Sequence, residues 1–228
     1  MPAFAMAVEL GYRYVETDVH VTADGVLLAF HDSVLDRVTD RTGAISDLRW
    51  SEVRRARVDG TEPIPRLEDL LGTWPDLRVN IDPKHDGAVD ALAQAIERTG
   101  AIDRVCVGAF SDRRLQRLRS RLGDRLCWSH GPIGTARSRL GSHLGKRAAP
   151  SGDAAAPCFQ VPVHHGRVTI VDERFVRFAH QRDQQVHVWT IDDAAEMARL
   201  LDLGVDGIMT DRPGVLREVL RARGTWVE

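Results

Sequence analysis

The sequence lacks several features that point to particular classes of protein. Its 228 residues contain three cysteines, Cys106, Cys127 and Cys158, which have no metal-binding spacing and cannot all pair with one another. We therefore predict a reducing, cytoplasmic location. The net charge of −2 argues against nucleic acid as a partner. No apolar run approaches the roughly 18 residues of a membrane span, so we expect no stable membrane insertion.

Strands and helices alternate along the chain, and no Gly-x-Gly-x-x-Gly follows any predicted strand, which argues against a dinucleotide site. The strands that alternate with helices lie near residues 14, 77, 105, 126, 159, 186 and 207. Repeated βα units imply parallel strands. They fit either an open doubly wound sheet or a (β/α)8 barrel that lacks one unit. The chain begins with a predicted helix, as though a first strand had been removed.

Two segments depart from this alternation within a predicted single domain, residues 1–228. A hairpin strand near residue 28 and the turn-rich segment 33–63 form a small insertion after the first strand. Residues 132–157 are rich in Gly, Ser, Ala, Pro and Arg, and we predict a short helix over 135–144 followed by an irregular loop. We interpret this loop as part of the single domain and not as a linker between domains.

Polar side chains share one face of several predicted strands. Glu16 and Asp18 alternate with valines in the first strand, and Asp82 and Lys84 alternate with apolar residues in the segment 77–84. Trp189 lies on the polar face of a later strand. In a β/α barrel this face points inward, and the carboxyl ends of the strands form the mouth of the active site.

The three carboxylates admit two interpretations. Glu16, Asp18 and Asp82 would converge near one lysine, and buried carboxylates need a compensating positive charge. A hard divalent cation is the natural candidate, because Ca²⁺ and Mg²⁺ take oxygen ligands. The alternative is an ion pair with Lys84 and solvated acids at the end of a strand.

A histidine follows on the second strand of the predicted hairpin. His31 stands directly before Asp32, and histidine is the side chain best suited to acid–base chemistry near neutral pH. The alternative is a turn histidine capped by its neighbour. Trp189 is either a packing residue or a residue that stacks on a substrate. Further histidines at strand ends or in loops are His20, His85, His130, His164, His165 and His187.

Several motifs, taken in order, resemble the glycerophosphodiester phosphodiesterase family, whose members are (β/α) barrels. The segment "VETDVHVTADGVLLAFHD" resembles the family's Glu-x-Asp…His-Asp segment, and "LDRVTDRTG" resembles its Leu-x-Arg-x-Thr sequel. The segments "IPRLEDLL" and "NIDPK" resemble the next helix and strand, and "VHVWTIDD" and "LGVDGIMTDRP" resemble the last two strands. The resemblance covers nearly the whole chain.

The resemblance implies a phosphoric diester hydrolase that releases glycerol 3-phosphate and an alcohol from small-molecule glycerophosphodiesters. By the family's motifs, Glu16, Asp18 and Asp82 would bind a divalent cation, Ca²⁺ or Mg²⁺. His31 would be one of two histidines that act as general acid and base. Lys84 would neutralise the phosphate. The resemblance leaves the alcohol and the oligomeric state open.

The chain also departs from the family pattern. Asp82 stands where the family usually has glutamate. Trp189 follows the family pattern, and the resemblance implies that it lines the pocket. The first strand, with His-Arg-Gly and Pro-Glu-Asn-Thr motifs, is missing before the helix at residues 2–11. Either the true start lies upstream, or this is a truncated and catalytically impaired member that only binds a phosphate ligand or is a non-functional barrel. A third hypothesis is a different barrel enzyme with a Schiff-base lysine at Lys84.

Overall fold

The computed structural model describes residues 1–144 and 156–227, and the chain divides into two compact units, Met1–Cys127 and Trp128–Glu228. Among the described residues, no helix is long and apolar enough to cross a membrane. The single domain predicted over the whole chain stays a prediction.

The first unit alternates strands and helices after an opening helix. Its elements are α1 (Pro2–Glu9), β1 (Tyr14–Val21), β2 (Leu27–Ala29), α2 (Trp50–Val53), β3 (Arg57–Val58), β4 (Glu62–Pro63), α3 (Leu67–Thr73), β5 (Arg78–Pro83), α4 (Ala88–Thr99), β6 (Val105–Val107), α5 (Asp112–Leu122) and β7 (Cys127–Trp128). Short 3-10 turns lie at Ile45–Asp47 and Ile102–Arg104.

The sheet of the first unit has a parallel centre. Its order is β2-β1-β5-β6-β7; β1, β5 and β6 pair in parallel, and β2 pairs antiparallel with the end of β1. The strands alternate as the sequence predicts: Val79 and Ile81 are buried on the side covered by helices, while Asp82 belongs to the opposite side. Helix α4 buries Leu92 and Ile96 and contacts β1 and β5. The sheet therefore has one apolar face and one polar face.

The segment 33–63 forms a small apolar core of its own beside the β1–β2 hairpin. Six buried side chains make this cluster: Leu28, Leu35, Ile45, Val53, Ala56 and Ile64. Each is at most 1% exposed, so packing holds the segment together in addition to its short helix and strands. The insertion predicted from turn signals is therefore an ordered part of the first unit.

The second unit repeats the βα pattern. Its elements are α6 (Pro132–Leu144), β8 (Cys158–Pro162), β9 (His164–His165), β10 (Val168–Thr169), α7 (Glu173–His180), β11 (Gln185–Trp189), α8 (Ala194–Leu203), β12 (Gly207–Ile208) and α9 (Pro213–Ala222). Strands β8, β11 and β12 form a parallel sheet in the order β12-β11-β8. The side chains of Asp172 and Asp193 accept hydrogen bonds from backbone N–H groups at the starts of α7 and α8.

Each strand predicted to alternate with helices has a counterpart in the structure, and the predicted hairpin strand near residue 28 is β2. The helix predicted within 132–157 is α6, which begins earlier than expected, at Pro132. The loop predicted after it falls largely on residues 145–155, which lie outside the described residues. The first strand inferred to be missing before α1 stays a prediction.

Candidate active site

Two carboxylates lie side by side at the carboxyl end of the parallel pair β1–β5. Asp18 is the register partner of Asp82, just as Glu16 is the partner of Asn80. Register partners in a parallel pair point to the same face of the sheet. Asp18 is buried and Asp82 is largely buried. The ion-pair interpretation of the sequence assumed solvated acids, whereas Asp18 and Asp82 are shielded from solvent.

Lys84 holds the two carboxylates together. Its Nζ is 2.6 Å from Asp18 Oδ1 and donates a hydrogen bond of 3.0 Å to Asp82 Oδ2. Burial opposes the charged ammonium, but its hydrogen bond to Asp18 and the charge of Asp82 outweigh this effect and raise the pKa of Lys84. Desolvation raises the pKa of Asp82, against the pull of the Lys84 charge. Two carboxylates thus share one cation.

Asp82 retains an unused oxygen. Its Oδ1 atom is buried and has no hydrogen-bond partner, which is rare for a carboxylate oxygen. A hard cation takes oxygen ligands, so this atom and the neighbouring Asp18 carboxylate fit such an ion chemically. No group of three or more His, Cys, Asp and Glu side chains that could hold a metal ion occurs in residues 1–144 and 156–227. Two carboxylates therefore fit a divalent cation, and a full ligand set is not assembled.

The β1–β2 hairpin carries His31 to this site. The hydroxyl of Thr22 donates to Asp24 Oδ1 at 2.7 Å and accepts from the backbone N–H of Val26 at 2.9 Å. Gly25 has a φ of 86°, a left-handed conformation that glycine adopts without strain. This tight turn returns the chain along β1, and the Phe30 N–H donates to the carbonyl of Asp18 at 2.9 Å. His31 therefore emerges beside Asp18.

The ring of His31 lies between two carboxylates. Its Nδ1 is 2.7 Å from Asp32 Oδ1, and its Nε2 is 3.8 Å from Asp18 Oδ2. Asp32 in turn accepts two hydrogen bonds from Arg37, at 2.6 Å and 2.8 Å. The Arg37 guanidinium, together with the His31 ring, holds the pKa of Asp32 well below its usual range. Asp32 is therefore an ionised acceptor at neutral pH.

The main chain of His31 has a separate anchor. His20, 5% exposed, places its Nε2 3.0 Å from the carbonyl oxygen of His31. Desolvation lowers the pKa of His20, so the neutral ring donates its Nε2–H to that carbonyl. The ring of His85 stacks on His20 with centroids 5.5 Å apart. Its Nε2 accepts from the Val21 N–H at 3.4 Å. His20, stacked on the half-buried His85, thus ties the end of β1 to His31.

The other two predicted site residues are Glu16, on β1 of the first unit, and Trp189, on β11 of the second unit. Glu16 is exposed on β1, on the same face as Asp18 and one residue pair further back. Trp189 is half-buried at the end of β11 in the second unit, where its neighbours Val186 and Val188 are fully buried on the opposite face. The structure thus brings together Asp18, Asp82, Lys84 and His31.

Sequence reasoning gave no role to Asp32 beyond a capping neighbour and none to Arg37. Arg37 stands within the Leu-x-Arg-x-Thr motif, which carried the resemblance but not a function. His20 was only one of several candidate histidines. Alternation along β1 places it on the face of Asp18, and this was the only signal for its role.

The arrangement combines positive charge with a proton carrier. The Lys84 ammonium can balance an oxyanion, and Nε2 of His31 can accept or return a proton because Nδ1 already faces an ionised acceptor. With the ammonium shared by two carboxylates, the cluster Asp18–Asp82–Lys84 has one negative charge in excess. Such a cluster attracts a further cation.

Comparison of the sequence with protein families and with individual proteins points to the same family in both cases. The model of the glycerophosphoryl diester phosphodiesterase family matches residues 1–215. A Mycobacterium tuberculosis protein named probable glycerophosphodiester phosphodiesterase 2 is 42% identical over 227 residues, which are 99% of this chain and 86% of that protein.

Solved structures share the fold. A glycerophosphoryl diester phosphodiesterase domain from Mycobacterium tuberculosis has a TM-score of 0.79 at 20% identity, covering 96% of this chain and 92% of that chain. A phosphodiesterase from Oleispira antarctica, solved with the product sn-glycerol-3-phosphate, has a TM-score of 0.75 at 18% identity, covering 96% and 90%. At these identities the likeness concerns the fold alone, and it confirms the α/β fold class predicted from the sequence.

Proposed function

This chain belongs to the glycerophosphoryl diester phosphodiesterase family, and we propose that it hydrolyses glycerophosphodiesters to glycerol 3-phosphate and an alcohol with the help of a divalent cation. The observation that carries the proposal is the cluster of Asp18, Asp82 and Lys84. His31 Nε2 lies 3.8 Å from Asp18 Oδ2 of this cluster. These side chains place carboxylate ligands for a cation, an ammonium and a proton carrier together. Cleavage of a phosphodiester requires positive charge and proton transfer at one place.

Asp18 and Asp82 are the proposed ligands of the cation, with Glu16 from the same face as a third. The unpartnered Oδ1 of Asp82 supports this assignment. When bound, Ca²⁺ or Mg²⁺ would supply Lewis-acid stabilisation of negative charge on the phosphoryl oxygens. Lys84 would bind a phosphate oxygen of the substrate, because its ammonium is held at the site by both carboxylates.

His31 is the proposed proton carrier. Its Nε2 would take a proton from the attacking hydroxyl group, or return one to the departing alkoxide. Such a group contributes about 10²- to 10⁴-fold in rate, so His31→Ala should lower kcat by that order. The contact between Trp189 and the substrate stays a prediction, and Trp189→Ala should raise KM if that contact exists.

The test measures glycerol 3-phosphate released from glycerophosphocholine and glycerophosphoethanolamine in a coupled dehydrogenase assay. We expect turnover that EDTA abolishes and that Mg²⁺ or Ca²⁺ restores. A matched control is His180→Ala, since His180 also pairs with an aspartate, Asp206, at 2.9 Å. It should keep its activity while His31→Ala loses it.

Two results would count against the proposal. Turnover that EDTA does not change would exclude a role for the cation. Turnover that is unchanged in His31→Ala would exclude His31 as the proton carrier. An enzyme without any turnover, whose melting temperature still rises with glycerol 3-phosphate, would favour the alternative of an impaired, ligand-binding family member.

A further inference from the structure

The side chain of His31 is exposed, yet its ring has a defined orientation. The side chain is 72% exposed, so packing does little to restrict its rotation. Its orientation depends instead on the hydrogen bond of 2.7 Å between Nδ1 and Asp32 Oδ1. Because an ionised carboxylate only accepts hydrogen bonds, Nδ1 carries the proton in this contact, and in the neutral ring Nε2 is the nitrogen without a proton.

Asp32 is itself held by Arg37. The guanidinium donates from Nε to Oδ2 at 2.6 Å and from Nη2 to Oδ1 at 2.8 Å. Two parallel hydrogen bonds fix the plane of a carboxylate, which a single donor does not. The Asp32 side chain is 12% exposed although its partner Arg37 is 66% exposed. The carboxylate thus has one orientation, set by the fork of the guanidinium.

The backbone that presents Arg37 is anchored in the core. Leu35, two residues earlier, is 1% exposed within the apolar cluster of the insertion. Its carbonyl oxygen accepts from both the N–H and the hydroxyl group of Thr39, at 3.1 Å and 2.8 Å. The tight turn from Leu35 to Thr39 therefore places Arg37 at its centre. A guanidinium on a fixed turn can act as a rigid support.

We propose that Arg37 is a positioning residue of the active site, which acts through Asp32 to hold the His31 ring with Nδ1–H towards Asp32 and Nε2 towards Asp18. The inference deepens the proposed function and rests on it, because it assumes that His31 is the proton carrier. Exposed ion pairs contribute little to stability, because water screens both charges. The Arg37–Asp32 pair therefore matters for the orientation of His31 more than for folding.

Loss of Arg37 has a specific consequence. Without the fork, Asp32 rotates, and the ring of His31 populates other rotamers and both neutral tautomers. A displaced catalytic group costs up to about 10²-fold in rate, whereas substrate binding by other groups is unaffected. Arg37→Met should therefore lower kcat by roughly ten- to a hundredfold and leave KM within about twofold.

The decisive experiment combines kinetics with NMR of the ring nitrogens. Side-chain ¹⁵N shifts of His31, assigned by their loss in His31→Gln, report the tautomer at a pH where the ring is neutral. We expect Nδ1–H in the wild-type chain and a mixture of tautomers in Arg37→Met. Arg37→Lys, a single-point donor, should give intermediate values of both readouts. Asp32→Asn should shift the ring towards Nε2–H, because an amide can donate to Nδ1.

The matched control is Arg98→Met. Arg98 is also exposed, at 58%, and its Nε donates to Glu68 Oε1 at 2.7 Å. Arg98→Met should retain both the wild-type tautomer and the wild-type kcat. The same tautomer populations of His31 in Arg37→Met and Arg98→Met would overturn the proposal. A fall in kcat in Arg37→Met with no change in the tautomer of His31 would also overturn it. Should Arg37→Met not fold, the tautomers of Arg37→Lys and Asp32→Asn decide instead. If no variant turns over substrate, the proposed function fails, and the ring shifts still decide whether Arg37 positions His31.

Discussion

Asp18 lies directly opposite Asp82 in the pairing of β1 with β5, and both carboxylates contact the ammonium of Lys84. Two unit charges about 4 Å apart interact by about 4 kcal/mol at an effective dielectric constant near 20. One ammonium cannot balance two carboxylates, so the pair retains excess negative charge. The predictions below follow from this excess and from the contacts that hold His31.

The first prediction concerns Asp82→Asn and stability without metal. The folded-state pKa of Asp82 is raised above its unfolded value. Its protonated form therefore stabilises the fold fully below the unfolded pKa, and this contribution is lost as pH rises through the folded pKa. A neutral asparagine keeps the contribution at every pH. At neutral pH in EDTA, Asp82→Asn should melt at a higher temperature than the wild-type chain.

The same variant tests the proposed metal ligand. Millimolar Ca²⁺ or Mg²⁺ should raise the melting temperature of the wild-type chain, because a cation that binds only the folded state stabilises it. Asp82→Asn should lose this response, while Asp103→Asn, which changes an exposed carboxylate paired with Arg125, should keep it. A cation response retained in Asp82→Asn would exclude Asp82 as a ligand.

The second prediction concerns Lys84→Met. Removing the ammonium leaves two largely buried carboxylates without their counter-ion, and breaking a buried pair on one side costs about 3–5 kcal/mol. The Lys84 side chain is 29% exposed, so we expect a loss near the lower end of about 3 kcal/mol in urea unfolding. Arg117→Met, which removes the 3.0 Å exposed pair with Asp90, should cost less than about 1 kcal/mol. If the free energy of unfolding fell equally in the two variants, the ion pairs of Lys84 would contribute no more than exposed pairs do.

The third prediction concerns the backbone anchor at His20. His20→Phe leaves the carbonyl of His31 without its donor. A buried unsatisfied carbonyl costs about 1–3 kcal/mol, and this one is only partly buried, so we expect a loss of about 1 kcal/mol. We expect that loss in thermal or urea unfolding, together with a lower kcat, because His31 is no longer held in place. His20→Gln retains an N–H donor at a similar reach and should restore most of both. A glutamine variant as impaired as the phenylalanine variant would show that ring stacking on His85, not the hydrogen bond, matters.

The fourth prediction concerns acid stability and Asp32. The folded-state pKa of Asp32 is depressed, first by the hydrogen bonds from Arg37 and next by His31. A depressed carboxyl pKa gives stability that is present above the unfolded pKa, about 3.9, and is lost as pH falls through the folded pKa. At pH 7 the wild-type chain should therefore melt at a higher temperature than Asp32→Asn. This difference in melting temperature should shrink as the pH falls below about 4. A gap that stays constant with pH would contradict the prediction.

The resemblance to the glycerophosphodiester phosphodiesterases, drawn from motifs in order, is confirmed by the family match over residues 1–215. It was available from sequence because each motif is local: a strand that alternates carboxylates with valines, a Thr-x-Asp-Gly turn, and a histidine at the strand end. Metal dependence, the identity of the metal, the role of Glu16 and the cytoplasmic location stay predictions.

Which residues share a face of a strand could be predicted from the amino-acid sequence. Strand geometry has a period of two, so the alternation around Asp18 and Asp82 could be predicted without any knowledge of neighbours. The turn that returns His31 towards β1 could also be predicted, since Thr22, Asp24 and Gly25 form that turn through contacts with one another and with the adjacent backbone.

Which of these side chains come into contact depends on the packing of segments that are distant in sequence. The register of β1 against β5 places Asp18 beside Asp82, and register depends on packing between segments distant in sequence. The contact of Arg37 with Asp32 depends on the burial of Leu35 in the core of the insertion, which no periodic pattern marks. Local periodicity is written along one segment, whereas these contacts arise from apolar burial that several segments share.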